Sequence, residues 1–250
     1  MPFTLSHPAI VLPFGLKKSK YVDFTALVIG SMAPDFEYFI HFRPYRTIGH
    51  SFLGQIYFNL PIILILAYIF HYIIKEPLIT NLPKPLCNNY YYITKYKWKL
   101  NSLTRIIVFI YSALIGAFSH IFWDGFTHSS GFFVQKFQVL KESIDIIGIR
   151  LPAYNLFQHM SSIIGLIAIF LFIVYKRDKN SKVDVKNTVA NKLIYWSGVT
   201  IITILVLMVK RILTGKFLIA SLIITSINGF FIGLIIMSIL IKVKMKDWLN

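Results

Sequence analysis

The sequence is short of cysteine, of acidic residues and of charge of either sign. One cysteine, Cys87, stands among 250 residues, which excludes an internal disulfide and a metal site built on several thiolates. Asp and Glu number 10 against 26 Lys and Arg, and charged residues make up 14% of the chain. A soluble domain carries about 25%. With 56% hydrophobic residues and a mean hydropathy of +0.65, the composition is that of a membrane protein. The net charge of +16 does not call for nucleic acid. The lysines fall in short stretches between apolar runs, where anionic headgroups meet them, and no nucleic-acid recognition motif is present. Membrane lipid is the expected partner. Ile, Lys, Asn and Tyr are abundant, as in AT-rich bacterial genomes, so the expected location is a bacterial inner membrane. A secretion signal is absent too. In MPFTLSHPAIVLPFGLKKSK the apolar part precedes the lysines and is interrupted by His7, Pro8 and Pro13, the reverse of a signal peptide. Residues 1–20 are expected to stay in the mature protein.

Long hydrophobic runs are what the chain does have. Five can cross a bilayer core of about 30 Å, which takes roughly 20 helical residues: 56–74, 103–123, 157–175, 193–210 and 217–241. A sixth apolar stretch, 21–40, is broken by Asp23, Gly30, Pro34, Asp35 and Glu37. It reads as a short helix ending near Pro34 and a second short helix, tolerated at membrane depth only where protein or water surrounds it. Loops 75–102 and 176–192 are rich in lysine and loop 124–156 is balanced, so the positive-inside rule puts the first two in the cytoplasm. Alternating spans then bring His50, His120, Asp124, His128 and His159 to one face, expected to be extracytoplasmic, with Asp35 and His41 entering from the same side. His71 lies at the opposite end of its span.

The densest signal is GAFSHIFWDGFTH, residues 116–128. Positions i and i+4 share a helix face, so His120 and Asp124 can grip one cation. His128 is two turns from His120, about 12 Å along the axis. It suits a second ion if the helix continues, or swings in if the helix ends near Gly125. Ser112 and Gly116, at the same spacing, let another helix approach closely. Imidazole with carboxylate and no thiolate suits zinc, manganese or another divalent metal at a catalytic site. Each residue also has a plainer reading. His71 and His41 fit an interfacial role, Asp35 and Ser51 can cap helices, and Phe118, Phe122, Trp123 and Phe126 fit an interfacial belt. Convergence favours function, because ionisable groups at spans are costly.

The segments MPFTLSHPAIVLPF, LVIGSMAPDFEYFI, GHSFLG, HxxxDxxxH and QHMSS resemble the bacterial membrane family called domain of unknown function 4184. The order of His, Asp after Pro, His-Ser and HxxxD is similar to the YdjM-like membrane-bound metal-dependent hydrolases. More distantly it resembles the zinc-dependent phospholipase C and P1 nuclease superfamily, helical enzymes that cleave phosphodiesters with a zinc cluster. The resemblance implies a phospholipase C-like site in which Asp35, His50, His120 and Asp124 hold one zinc. Asp124 would bridge to a second ion also held by His7, and His128 and His159 would bind a further ion. The glutamate that completes a site one turn after the last histidine in the soluble enzymes is here Ile163, with Ser162 before it, and Met1 is expected in place of a processed N-terminal amine. The resemblance therefore implies one or two metals, with Glu37, Glu142 and Asp145 as candidates for a missing carboxylate. Asp35 has a second, catalytic role open to it, as general base for the attacking water.

The expectation is an all-α, polytopic transmembrane bundle of five to six spans with short N-terminal helices. It would form one integral membrane domain over 1–250, with the metal-site half in 1–165 and two C-terminal spans in 190–250. The leading function is a membrane-embedded metal-dependent hydrolase acting on a phosphodiester such as a phospholipid. A second is a non-enzymatic membrane protein whose His/Asp cluster is structural. A third, a divalent-cation transporter, is disfavoured because the last two spans are almost free of polar groups and no inverted repeat is evident. Gly229 and Gly233 form a GxxxG pair, explained by packing within the bundle or by a homodimer through the C-terminal spans. The TGK at 214–216 lacks the spacing of a phosphate-binding loop.

Overall fold

The computed structural model describes residues 3–146, 148–215 and 218–247, the side chains of 244–247 excepted. Met1, Lys216 of the TGK stretch and residue 217, where the last span was expected to begin, lie outside the described residues. The fold is all-α. Among the described residues, five helical stretches are long and apolar enough to cross a membrane: Gln55–Thr80, Leu103–Lys136, Ala153–Tyr175, Val189–Thr214 and Ile219–Val243. The chain is thus built as a multi-pass membrane protein. It divides into two compact units.

The first unit comprises Met1–Phe36, Thr47–Leu64 and Leu100–Lys176. It opens with a 3-10 segment, Thr4–Gly15, followed by α1 (Phe24–Gly30), whose first turn is capped by Asp23 accepting the Ala26 N–H. Pro34 sits at the start of a 3-10 turn, Ala33–Asp35, before α2 (Phe36–His41), which passes into the second unit after Phe36. The break expected in 21–40 is therefore present. Next comes α3 (Gln55–Thr80), which starts in this unit and carries wide π-type turns at Gln55–Asn59 and Ile69–Ile74. Ser102 caps α4 (Leu103–Thr127) by accepting the Arg105 N–H. After α4 the segment expected as a plain loop folds instead. A short α5 (Phe132–Lys136) leads to an antiparallel hairpin of β1 (Ser143–Ile146) and β2 (Ile149–Pro152), and α6 (Ala153–Tyr175) follows.

Glycine decides how α1 lies on α4. A Cβ on Gly30 would stand 2.4 Å from the Ala113 carbonyl oxygen, and one on Gly116 2.4 Å from that of Leu27. Only hydrogen fits at either crossing point. The Asp23 N–H also donates to the Ser112 hydroxyl, 3.1 Å away. Ser112 and Gly116, one turn apart below His120, thus form the seat for α1.

The second unit comprises Glu37–Arg46, Ile65–Lys99 and Arg177–Asn250. Its core gathers Ile74, Tyr195, Val199, Leu234 and Met237 around two long helices, α7 (Val189–Thr214) and α8 (Ile219–Asp247). Gly215, at a left-handed φ of 70°, ends α7. A Cβ on Gly229 would lie 2.9 Å from Thr203 Cα, and one on Gly233 2.9 Å from the Val199 carbonyl oxygen. The GxxxG face of α8 is thus covered by α7 of the same chain.

Candidate metal centre

Four stretches of the first unit deliver ionisable side chains to one place. The N-terminal 3-10 segment brings His7, the turn after α1 brings Asp35, the loop before α3 brings His50, and α4 brings His120 and Asp124 from adjacent turns of one face. Burial is deep: His120 is 0% exposed, Asp35 1%, Asp124 3% and His7 4%. The helix ends at Thr127, and His128, in extended conformation at its C-cap, folds back toward Asp124.

The distances define a cage. Asp35 Oδ1 is 3.6 Å from both His50 Nε2 and His120 Nε2. Asp124 Oδ2 is 3.5 Å from the same two nitrogens. The other oxygen of Asp124, Oδ1, is 3.6 Å from His7 Nε2 and 3.4 Å from His128 Nδ1. One carboxylate thus turns its two oxygens to two different pairs of histidines. Two groups, His7 with Asp35 and His120, and His50 with His120 and Asp124, hold their ligand atoms close enough to share an ion. The rings of His7 and His120 stack, with centroids 3.7 Å apart.

These separations are too long for hydrogen bonds, and the neighbouring bonds explain how the groups are aimed. His120 Nδ1 lies 2.8 Å from the Ser31 carbonyl oxygen. It donates there, which leaves the Nε2 lone pair facing the carboxylates. The Thr4 hydroxyl donates to Asp35 Oδ2 at 2.5 Å, so Oδ1 is the oxygen that faces the histidines. Asp35 is therefore tied to Thr4 rather than capping α2. Asp35 Oδ1, His120 Nε2 and both ring nitrogens of His7 make no hydrogen bond among the described residues. Buried lone pairs converging in this way carry a large desolvation cost unless a cation lies among them. The residues present fit a divalent metal on that ground. Burial lowers the His7 pKa to about 3, so His7 is neutral and able to ligate.

A second layer holds the loop that carries His50. The Gln55 side-chain amide donates to the carbonyls of Gly49 and Ser51, and Asn59 donates to Gly49 and to Gln55 Oε1, all at 2.7–2.9 Å. Both amides are fully buried. With Thr4 and Ser31 they escaped the reading of the sequence. The signal that could have found them is a pair of amides at i, i+4 opening an otherwise apolar span.

Other candidates lie elsewhere. His159 is exposed on α6, and Gln158 beside it is buried instead. Ser162, one turn on, accepts the Phe3 N–H at 3.0 Å and so anchors the N-terminal segment. Glu142 is exposed, and the exposed Asp145 faces Arg150 at 3.5 Å. In the second unit, His71 stacks on Trp98 with centroids 4.9 Å apart, and the exposed His41 packs on Tyr45. Glu37 also belongs to that unit, buried at 3%.

No curated protein and no solved structure matches the chain. Residues 1–239 match the family model described as a domain of unknown function (DUF4184), and the chain belongs to that family.

Proposed function

We propose that the protein is a membrane-embedded, zinc-dependent hydrolase acting on phosphodiesters, a phospholipid being the favoured substrate. The observation that carries this reading is the pair of oxygens of Asp124, each facing its own pair of histidines. In a tetrahedron with zinc bonds of about 2.0–2.2 Å, neighbouring ligand atoms stand roughly 3.3–3.6 Å apart. Four of the six separations in such a set of Asp35 Oδ1, Asp124 Oδ2, His50 Nε2 and His120 Nε2, those between a carboxylate and an imidazole, are 3.5–3.6 Å.

In this reading Asp35, His50, His120 and Asp124 would hold the first ion. His7 and His128 would share a second with Asp124, and His159 would take no part. Bound there, the metal would polarise a phosphoryl oxygen and lower the pKa of a water toward 7. Thr4 and Ser31 would orient Asp35 and His120 as outer-shell partners orient ligands elsewhere. With one Asp35 oxygen facing His50 and His120 and the other bonded to Thr4, a ligand role is favoured over that of general base. His128, at 13% side-chain exposure, and His50, at 7%, are the most accessible of the six and mark the side for substrate entry. The likeness to YdjM-like hydrolases and to the phospholipase C and P1 nuclease superfamily supplies the phosphodiester. A site at the end of a span lies near headgroup level, on the extracytoplasmic face by the lysine distribution.

The depth of the cluster and its four separate segments also suit a purely structural metal site. Elemental mass spectrometry of the purified protein decides first, followed by chelation. Zinc at one to two equivalents, and loss of phosphodiester cleavage on chelation before the fold is lost, support the hydrolase. Zinc whose removal melts the protein with no cleavage of any lipid or synthetic diester supports the structural site. Absence of metal after incubation with zinc at neutral pH overturns both.

A further inference from the structure

We infer that the β1–β2 hairpin lies flat on the membrane surface and seats one face among the lipid chains of the leaflet beneath it. This holds whether or not the His/Asp cluster binds metal. The register pairs Ile144 with Leu151 and Ile146 with Ile149, and between them Asp145 with Arg150. Directly opposed residues share a face and successive residues alternate. One face is therefore Ile144, Ile146, Ile149 and Leu151 only. The other carries Ser143, Asp145 and Arg150, with Arg150 Nε 3.5 Å from Asp145 Oδ2.

Among the described residues the apolar face is only partly covered, with Leu151 half-buried. Ile144 is 40% exposed, Ile146 37% and Ile149 61%. The approach to the hairpin adds Phe132, Phe137 and Val139, at 68%, 47% and 62%. A two-stranded hairpin is marginal in water by itself, and exposed apolar residues concentrated on one face in this way mark an interaction surface. Lipid is the occupant that the neighbouring chain supplies. The segment joins α4, which ends at Thr127, to α6, which starts at Ala153, both long and apolar enough to span, so it stands beside the bilayer.

Depth follows from the backbone. Among the described residues, the outer edges of both strands have no third strand to pair with. Open edges are not tolerated in the hydrocarbon core, where water cannot satisfy them. The hairpin therefore rests at headgroup level, with its isoleucines toward the acyl chains and the Asp145–Arg150 pair toward water.

The test uses full-length protein in phospholipid nanodiscs. Single cysteines replace Ile146 or Ile149 on one face and Ser143 or Asp145 on the other, each labelled with an environment-sensitive fluorophore. Cys87 is fully buried, so the unsubstituted protein measures background labelling. The expected result is blue-shifted emission at 146 and 149, most of it lost with lipids spin-labelled on the acyl chain, and water-like emission at 143 and 145 quenched by a soluble agent. Equal exposure of both faces to the soluble quencher overturns the inference. So does shielding of 146 and 149 from both quenchers, and self-quenching that rises with the number of labelled copies per disc identifies a second copy as the occupant.

Discussion

The buried faces of α4 and α8 are built alike and do different things. Each opens with small residues at four-residue spacing that let a neighbour touch backbone, Ser112 and Gly116 on α4, Gly229 and Gly233 on α8. On α4 the next two positions are His120 and Asp124. On α8 the next is Met237, beside Ser238, whose hydroxyl lies 3.0 Å from that of Tyr195. Close approach alone thus makes a packing seam. It makes a candidate metal centre where ionisable groups continue the same stripe and other segments bring partners to meet them.

Several changes would break or sharpen this contrast. The largest effect is expected from Asp124→Asn, because one side chain faces both pairs of histidines. Metal content should fall to background in elemental mass spectrometry, with affinity down more than the roughly 10–100-fold typical of outer-shell changes. Retention of one full equivalent would show that Asp124 bridges nothing. Next is Gly116→Val set against Gly233→Val. Overpacking costs about 1–3 kcal/mol, and both variants should melt earlier. The α4 variant should melt lowest, because its first added carbon meets a carbonyl oxygen at 2.4 Å rather than 2.9 Å, and it alone should lose metal. Equal metal retention in the two would separate the α1 seat from the cluster. Thr4→Val removes the hydroxyl that holds Asp35. It should weaken metal binding about 10–100-fold and cost about 1–3 kcal/mol for the buried oxygen left without its donor. Thermal melts with and without added zinc separate the two effects. The smallest change is Tyr195→Phe, losing about 0.5–1.5 kcal/mol with metal content untouched. His159→Ala should leave both metal and melting temperature unchanged.

Much of the architecture was legible because bilayer thickness imposes a length on apolar runs, and five such runs stand out from their lysine-rich connections. The break in 21–40 was legible from Pro34 and Gly30. The face shared by His120 and Asp124 follows from helical period alone. Other features depend on geometry that no local pattern carries. The return of His128 required knowing that α4 stops at Thr127. The exposure of His159 depended on the rotation of α6, which buries Gln158 instead. Thr4 and Ser31 act through one hydroxyl and one backbone carbonyl, and such groups occur everywhere in a sequence. The hairpin at 143–152 was hidden because four-residue strands leave too short an alternation to stand out from a loop.

The anchoring of Phe3 to Ser162 sets an order in time. Asp35, His50, His120 and Asp124 have all been synthesised by residue 124, about halfway along the chain, but Thr4, which holds Asp35, shares its segment with His7. That segment is fastened to α6 at Ser162 and again where Lys176 Nζ donates to the Leu16 carbonyl at 2.8 Å. The stretch that aims Asp35 and carries His7 therefore reaches its two anchors only after residues 162 and 176 have been made.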